Sequence, residues 1–389
     1  MFDRFRWVFC QLETLQNCLP QSIRRTLREL PKSLDETYER VLKEIGKANQ
    51  HEAHRLLECL AVANRPLRVE ELAEVLTLDF DEAEEGIPKL NKDWRGGDRQ
   101  QAVLSACSSL IIVVDDFDSR FVLFSHFSVR EFLTSNRLFT SKADISRFYI
   151  PLEHAHTTIA RACLGILLQL DDSVDNNRVE SSFPLSVYAA QHWVEHAQLG
   201  DASLQVEDGI RRLFDSTKPY FAAWLQLYDI DTDRDWNMFL QYHPMEPRAA
   251  PLYYASLCGF HDLATYLIAK HPQLVNATGG LKYSSLGAAL HEGHFRVAEL
   301  LHQGGAAVDV TGYDGRTLLQ DASAKGLVDV VQWLLDHGAN VNSRQEDPST
   351  PLHLAAVDEN PEVVRMLLGH GASVNVANED GHTPLHKAS

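Results

Sequence analysis

Five segments of the C-terminal third superpose at an almost constant interval, and few features restrict a fold as tightly as a fixed period. With the Pro of Thr-Pro-Leu as marker, the equivalent positions are Pro251, Ser285, Leu318, Pro351 and Pro384, separated by 34, 33, 33 and 33 residues. A period of this size predicts a solenoid of stacked units, each touching only its neighbours. The fullest copy runs from Thr350 to Asn375. In it Thr350 is placed to cap a helix, Pro351 sits in the first turn where a missing N–H costs nothing, and Leu352, Ala355 and Ala356 form a small-residue apolar face. A second helix is expected to bury Val363, Val364, Met366, Leu367 and Leu368, and Gly371 to end it with a left-handed backbone. No such unit buries its own apolar face, so stacking must supply the core.

The T-P-L-H-x-A string, the Gly-Ala after the second helix and the V-N before the turn resemble the ankyrin repeat over residues 248–389. The third copy, Asp314 to Asn342, lacks the Pro but keeps Thr317, Gly326, Gly338 and Asn342. The second replaces Thr-Pro by Ser284-Ser285, and the first breaks its exit loop with His271-Pro272. The fifth stops at Ser389, halfway through its first helix, so a truncated array is expected.

The 389 residues suffice for two to four structural units. Net charge is −18, with Asp and Glu exceeding Lys and Arg by 16 to 10 over 51–139, 16 to 8 over 140–247 and 15 to 9 over 248–389. Phosphate contacts need a basic face, so the balance disfavours nucleic acid. The basic cluster Arg24, Arg25 and Arg28 reads as a solvated helix face. Six scattered cysteines without C-x-x-C spacing read as buried thiols of a reducing compartment. MFDRFRWVFCQL is no secretion signal, and no apolar run approaches 18 residues, so cytoplasm is the expected location and no membrane contact is expected.

Earlier in the chain, residues 5–18 show one apolar helical stripe, and Ser33-Leu-Asp-Glu36 is a capping box opening a helix. Residues 51–63 predict a further helix, RVEELAEVL after Pro66 an amphipathic one, 79–100 an acidic loop, and Val103–Cys107 another helix. Leu110–Val114 and Phe121–Phe124 predict a hairpin, followed by a helix opened by the capping box Ser128-Val-Arg-Glu131. This order fits a winged helix, in which RVEELAEVL is read as the recognition helix and, being acidic, counts against DNA binding; pattern alone leaves a plain α+β domain open. Helices are expected over 153–170 and 183–199. The aromatic stretch 208–242 reads as packing that caps the first repeat, with a ligand cage as the alternative.

RFRWVFCQLETL, LPKSLDETYERVL, RPLRVEELAEVL, CSSLIIV and FSHFSVREFL, in that order over roughly 1–200, resemble segments following the nucleotide-binding core of NACHT-type (STAND) signalling NTPases of filamentous fungi. The winged-helix module is also similar to one of GPI inositol-deacylase relatives. The resemblance implies a chain that begins downstream of an ATP- or GTP-binding core. No G-x-x-x-x-G-K-[ST] loop is present, so this chain alone is expected not to hydrolyse nucleotide. The resemblance also implies that His126, beside the cap Ser128, contacts a bound diphosphate if such a core is present; a structural His finishing the hairpin is the rival reading.

His192-Trp-Val-Glu-His196 has the H-x-x-E-H spacing of inverted zinc proteases, but a third ligand and a substrate cleft are missing from the pattern, so no metal and no catalytic residue is assigned. His261, His294, His353 and His386 sit where ankyrin repeats tie turns to caps. The expected architecture is mainly α: a helical segment (1–48), a winged helix (49–140), a helical linker capping the solenoid (141–247) and an ankyrin-repeat α-solenoid of four repeats plus a partial fifth (248–389). The expected function is a non-enzymatic protein-interaction scaffold without cofactor, or else the regulatory part of a nucleotide-switched NACHT NTPase. Its expected contacts with a protein partner, a basic one being favoured by the acidic array, are Tyr313, Asp314, Arg344, Glu346, Asp358 and Glu379.

Overall fold

The computed structural model describes residues 33–388 apart from 85, 96–98, 118, 171–175, 201, 232–248, 313–314, 345–348 and 358–359. The helix expected over 5–18, Trp236 and Phe239 lie outside the described residues. The chain divides into two compact units, Met1–Tyr228 and Asp229–Ser389.

The first unit opens with α1 (Leu34–Glu44), whose N-cap Ser33 accepts a hydrogen bond from the Glu36 amide. There follow α2 (Gln50–Val62), β1 (Leu67–Arg68) and α3 (Val69–Val75). Next come β2 (Leu78–Glu84), β3 (Ile87–Leu90), α4 (Arg99–Cys107), β4 (Ile111–Asp116) and β5 (Ser119–Phe124). The expected hairpin is present: β4 and β5 pair antiparallel from Ile111↔Phe124 to Asp116↔Ser119, and β1 joins the far side of β5. Three helices, a short strand and this hairpin make up a winged helix.

Two expectations fail here. Residues 79–90, read as part of an acidic loop, belong with Leu78 to the two-stranded β2–β3 ladder, in which Leu78, Ile87 and Pro88 are buried. The density of carboxylates concealed the alternation of Leu78 and Phe80 with Asp79 and Asp81. That inserted ladder also separates α3 from α4, so the second helix of the helix-turn-helix, the position that enters DNA in proteins that read it, is α4 rather than RVEELAEVL.

The helix after the hairpin, α5 (Phe127–Leu133), is capped by His126, whose imidazole accepts from the Ser128 amide; Ser128 is inside the helix and does not cap it. Short helices α6 (Asn136–Phe139) and α7 (Ala143–Ser146) lead to α8 (Leu152–Leu167). Then come α9 (Asn176–Ser182), α10 (Ser186–Ala197), α11 (Ala202–Gln205), α12 (Glu207–Leu213) and α13 (Tyr220–Leu227). The central element is α8, which packs against α2, α10 and β3 and buries Ile159, Leu164, Ile166 and Leu167. The helices expected as a linker thus share one core with the winged helix. The aromatic residues at the end of this unit fill space themselves instead of lining a cage. Trp193 and Trp224 meet edge to face at 5.3 Å, Phe214 and Phe221 lie against them, and the Trp224 indole donates to the Ala190 carbonyl at 3.0 Å.

In the second unit the period becomes geometry. First helices α14 (Pro251–Leu257), α16 (Ser285–His291), α18 (Leu318–Ala324), α20 (Pro351–Val357) and α22 (Pro384–Lys387) start at the five marker residues. They alternate with second helices α15 (His261–Lys270), α17 (Phe295–Gln303), α19 (Val328–Asp336) and α21 (Pro361–Gly369). His271-Pro272 does not break the first exit loop; it becomes a single 3₁₀ turn, Pro272–Leu274. Gly371 has φ +85°, the left-handed value its position requires. Of the five residues expected to be buried in α21 only Val363 and Leu367 are; Val364 and Met366 are half-buried and Leu368 is 43% exposed, because the buried stripe is narrower than expected.

Candidate functional site

Four of the five first helices of the array are fastened at their third residue, N3. Thr317 accepts from the Gln320 amide, the Gln320 side-chain carbonyl accepts from the Thr317 amide at 2.8 Å, and its side-chain amide donates forward to the Ser349 carbonyl of the next turn at 2.6 Å. One period later His353 does the same work. Its Nδ1 accepts from the Thr350 amide and hydroxyl at 3.2 and 2.8 Å, which leaves Nε2 protonated to donate to the His382 carbonyl at 3.0 Å. His386 repeats the local half of this arrangement with Thr383. In the first repeat the position holds Tyr253, whose hydroxyl donates to Asp231 at 2.6 Å and accepts from the Lys282 amide at 3.1 Å. Asp231 also accepts from the Leu281 amide, and burial pushes its carboxyl pKa up. In the second repeat the position is Gly287, where a Cβ would stand 2.0 Å from the Lys282 carbonyl oxygen.

A second set of ties recurs at Asn276, Asp309 and Asn342, three residues spaced by the period. Each side-chain oxygen accepts from a backbone amide of the following repeat, at Ala307, Asn340 and Ser373, at 2.8 to 3.0 Å. The array therefore displays its turns in fixed register, which gives a partner a rigid surface to read.

Of the residues expected to meet a partner, Arg344 is exposed and donates to the Ala377 carbonyl at 2.9 Å, so it already bridges adjacent turns, and Glu379 is exposed on the next turn. The structure brings these two onto neighbouring turns. Tyr313, Asp314, Glu346 and Asp358 lie outside the described residues. His261 pairs with Asp262 at 3.2 Å and is half exposed, while His294 packs over Gly259.

Sequence reasoning missed a groove of about 540 Å³ along the second helices, lined by Phe295, Arg296, Glu299, Leu300, Trp333 and His337. Trp333 and His337 stack at 3.8 Å with 13° between planes, and His337 Nε2 donates to Glu299 at 3.0 Å. Hydrogen bonds from Gln303, then from His337, hold the Glu299 carboxyl below the usual range. The i,i+4 Trp–His pair on an outward face was the available signal.

In the first unit the H-x-x-E-H helix is committed to packing. His196 is fully buried; its Nε2 accepts from the Tyr188 hydroxyl at 2.8 Å, that hydroxyl accepting from the Asn64 amide, and its Nδ1 lies 2.9 Å from His156 Nδ1. Burial drives its pKa down to about 3, with His156 and His192 adding repulsion. Both ring nitrogens are spent on protein, and no group of three or more side chains with metal-ligand chemistry occurs among the described residues. At His126, Nδ1 accepts from the Ser128 amide and hydroxyl, and the Ser128 oxygen in turn accepts from buried Tyr38 at 2.9 Å. The four described cysteines, Cys59, Cys107, Cys163 and Cys258, are buried free thiols, and burial pushes Cys107 up to about 12. No described helix is long and apolar enough to cross a membrane.

Comparison with known families agrees with this geometry. Residues 38–146 match the GPI inositol-deacylase winged helix domain, and residues 252–345 and 334–388 match ankyrin repeats. The chain is 34% identical over 296 residues to the azaphilone pigments biosynthesis cluster protein L of Monascus ruber, an alignment that takes in 72% of this chain and 61% of that protein. The chain thus spans less than two thirds of the length of that relative. It carries a winged helix domain of the GPI inositol-deacylase type followed by ankyrin repeats.

Proposed function

We propose that the chain is a non-catalytic scaffold whose ankyrin array binds a protein partner across its turns and first helices. Ankyrin repeats indicate a protein-interaction role, and the observation that carries this reading is the forward tie at Gln320 and His353, which holds successive turns as one rigid surface. The acid excess of 15 to 9 over 248–389 favours a basic partner bound in a salt-dependent way. The acid excess of 16 to 10 over 51–139 favours protein over nucleic acid. The relative's name belongs to a pigment biosynthesis cluster; joined to the scaffold reading, the proposal is an adaptor among proteins of such a cluster, acting in the cytoplasm. The test is affinity capture with the full chain and with a variant carrying Arg344→Glu and Glu379→Lys. A partner retained by the parent and lost by the variant is the expected result, and retention by both would overturn the proposed contact face.

A second reading is the regulatory part of a nucleotide-switched NACHT NTPase. It is favoured by His126, whose Nδ1 accepts two hydrogen bonds, so that Nε2 carries the proton as a donor suited to phosphate. Calorimetry bears on it in one direction: no ADP binding by this chain at millimolar concentration is expected without a nucleotide-binding core, and saturation would favour the second reading.

A further inference from the structure

We propose that the outer edge of β4 is a strand-addition site for an extended protein segment with alternating apolar residues and a basic end. In the order β1-β5-β4, β4 pairs on one side only among the described residues. The ladder register determines what the open side offers. The Ser125 amide donates to the Leu110 carbonyl at 2.9 Å, so the exchanged pairs fall two residues apart at Ile112↔Leu123, Val114↔Phe121 and Asp116↔Ser119. The N–H and C=O groups of Ile111, Val113 and Asp115 therefore point to the unpaired side, at the spacing an incoming strand satisfies.

The side chains on one face of the hairpin add selectivity. Ile112, Val114 and Leu123 are 43%, 39% and 37% exposed, and Phe117 at the apex is fully exposed with φ +47°, an uncommon backbone for an aromatic residue. A long apolar open edge is a liability that proteins usually blunt with lysine or proline, and β4, IIVVDD, has neither. Its charge is all of one sign. Asp115 and Asp116 end the strand, and the nearby cation Arg120 is engaged by Glu70 at 3.5 Å. An added strand thus meets apolar residues along most of its length and carboxylates at one end, which selects lysine or arginine there. A second copy of β4 fits less well, since antiparallel pairing about Val113 sets Asp115 beside buried Ile111 of the other copy.

The probe is a fluorescein-labelled peptide of alternating valine and threonine with a lysine pair at each end, titrated against the full chain by fluorescence anisotropy. Its counterpart carries glutamate pairs. Val113→Pro removes an outward N–H and leaves the bonds to β5 in place, because those are made by the neighbouring residues. Ile112→Thr with Val114→Thr removes the apolar face while keeping strand propensity. The lysine peptide is expected to bind saturably, at least tenfold more tightly than the glutamate peptide, and to weaken at least tenfold in each variant. Circular dichroism matching the parent shows that the variants are folded. Equal binding of both peptides, or undiminished binding by folded Val113→Pro, overturns the proposal. So does concentration-dependent dimerisation in sedimentation that Val113→Pro abolishes, since the edge is then taken by a second copy.

Discussion

The two units solve the same problem, keeping polar groups content inside a helical structure, over very different distances along the chain. In the ankyrin unit the recurring ties reach about one period: Gln320 to Ser349, His353 to His382, Asn342 to Ser373. In the winged-helix unit buried carboxylates reach across a hundred residues. Glu58, 2% exposed, accepts from Thr158 and pairs with His154 at 2.7 Å, while Glu74, fully buried, pairs with Arg95 and accepts from the Leu185 amide at 2.7 Å. Glu71, fully buried between them in sequence, takes a two-pronged contact from Arg65 at 2.7 and 2.8 Å. The contrast teaches that one unit loses stability piecewise and the other as a whole.

Glu71→Ala breaks this contrast hardest. It removes the carboxylate of Arg65 and one of the two of Arg68; both guanidinium groups keep some solvent, so the loss is expected at the lower end of the about 3–5 kcal/mol that breaking a buried pair costs. Urea denaturation followed by tryptophan fluorescence is expected to show the winged-helix transition moved to much lower denaturant and the array transition in place. A uniform shift of both transitions would refute the division.

Gly287→Ala should weaken the array by about 1–3 kcal/mol, the cost of overpacking, although glycine-to-alanine in a helix ordinarily stabilises. The new methyl would stand 2.0 Å from the Lys282 oxygen and 2.8 Å from Leu318 Cδ2. Hydrogen exchange should report the loss at repeats two and three first.

Acid is expected to act on the first unit through its histidines. Folding lowers the pKa of His196 to about 3 and depresses His156 and His192, chiefly by burial. The unfolded chain therefore binds more protons below about pH 6.5, and stability falls with falling pH by about 1.4 kcal/mol per pH unit for His196 alone. His154 works in the opposite sense: its hydrogen bond to Glu58 raises its pKa, so its contribution is complete below about pH 6.5 and is lost at higher pH as the folded form deprotonates. In the array the raised pKa of Asp231 makes its own contribution grow as pH falls. Denaturation between pH 6.5 and 5 should lower the first transition, and His196→Phe should flatten the slope.

His353→Ala should have the smallest effect, about 1 kcal/mol for its net hydrogen bonding, confined to protection of amides in repeats four and five. Spread of the loss to the winged-helix unit would contradict the picture of local ties.

The same difference in reach explains what could be read from the amino-acid string. Helix starts at Ser285, Leu318, Pro351 and Pro384 were legible because each repeat carries its own cap, apolar face and glycine within a few residues. The β4–β5 hairpin was legible for the same reason. Glu58 and Glu74 were not, because a carboxylate on an amphipathic helix looks solvated until a partner about a hundred residues away is known, and Glu71, though paired with nearby Arg65 and Arg68, is buried only by the fold around it. His126 displaced Ser128 as the cap of α5 because an imidazole is an uncommon acceptor there and pattern rules favour the hydroxyl. Of the candidate site, the two described residues Arg344 and Glu379 fell on adjacent turns, but the Trp333–His337 groove went unread because its components look like ordinary helix residues.

The bare N3 position at Gly287 leaves one joint of the array fastened differently from the rest. Between the second and third repeats the outer helices are clipped by Glu299 and His337 and the turns by Asp309 and Asn340, while the inner helix contributes no side chain at that position. Bending compliance should concentrate there, with the outer clip as the pivot, so that the curvature offered to a bound surface adapts at one vertebra rather than evenly along the spine.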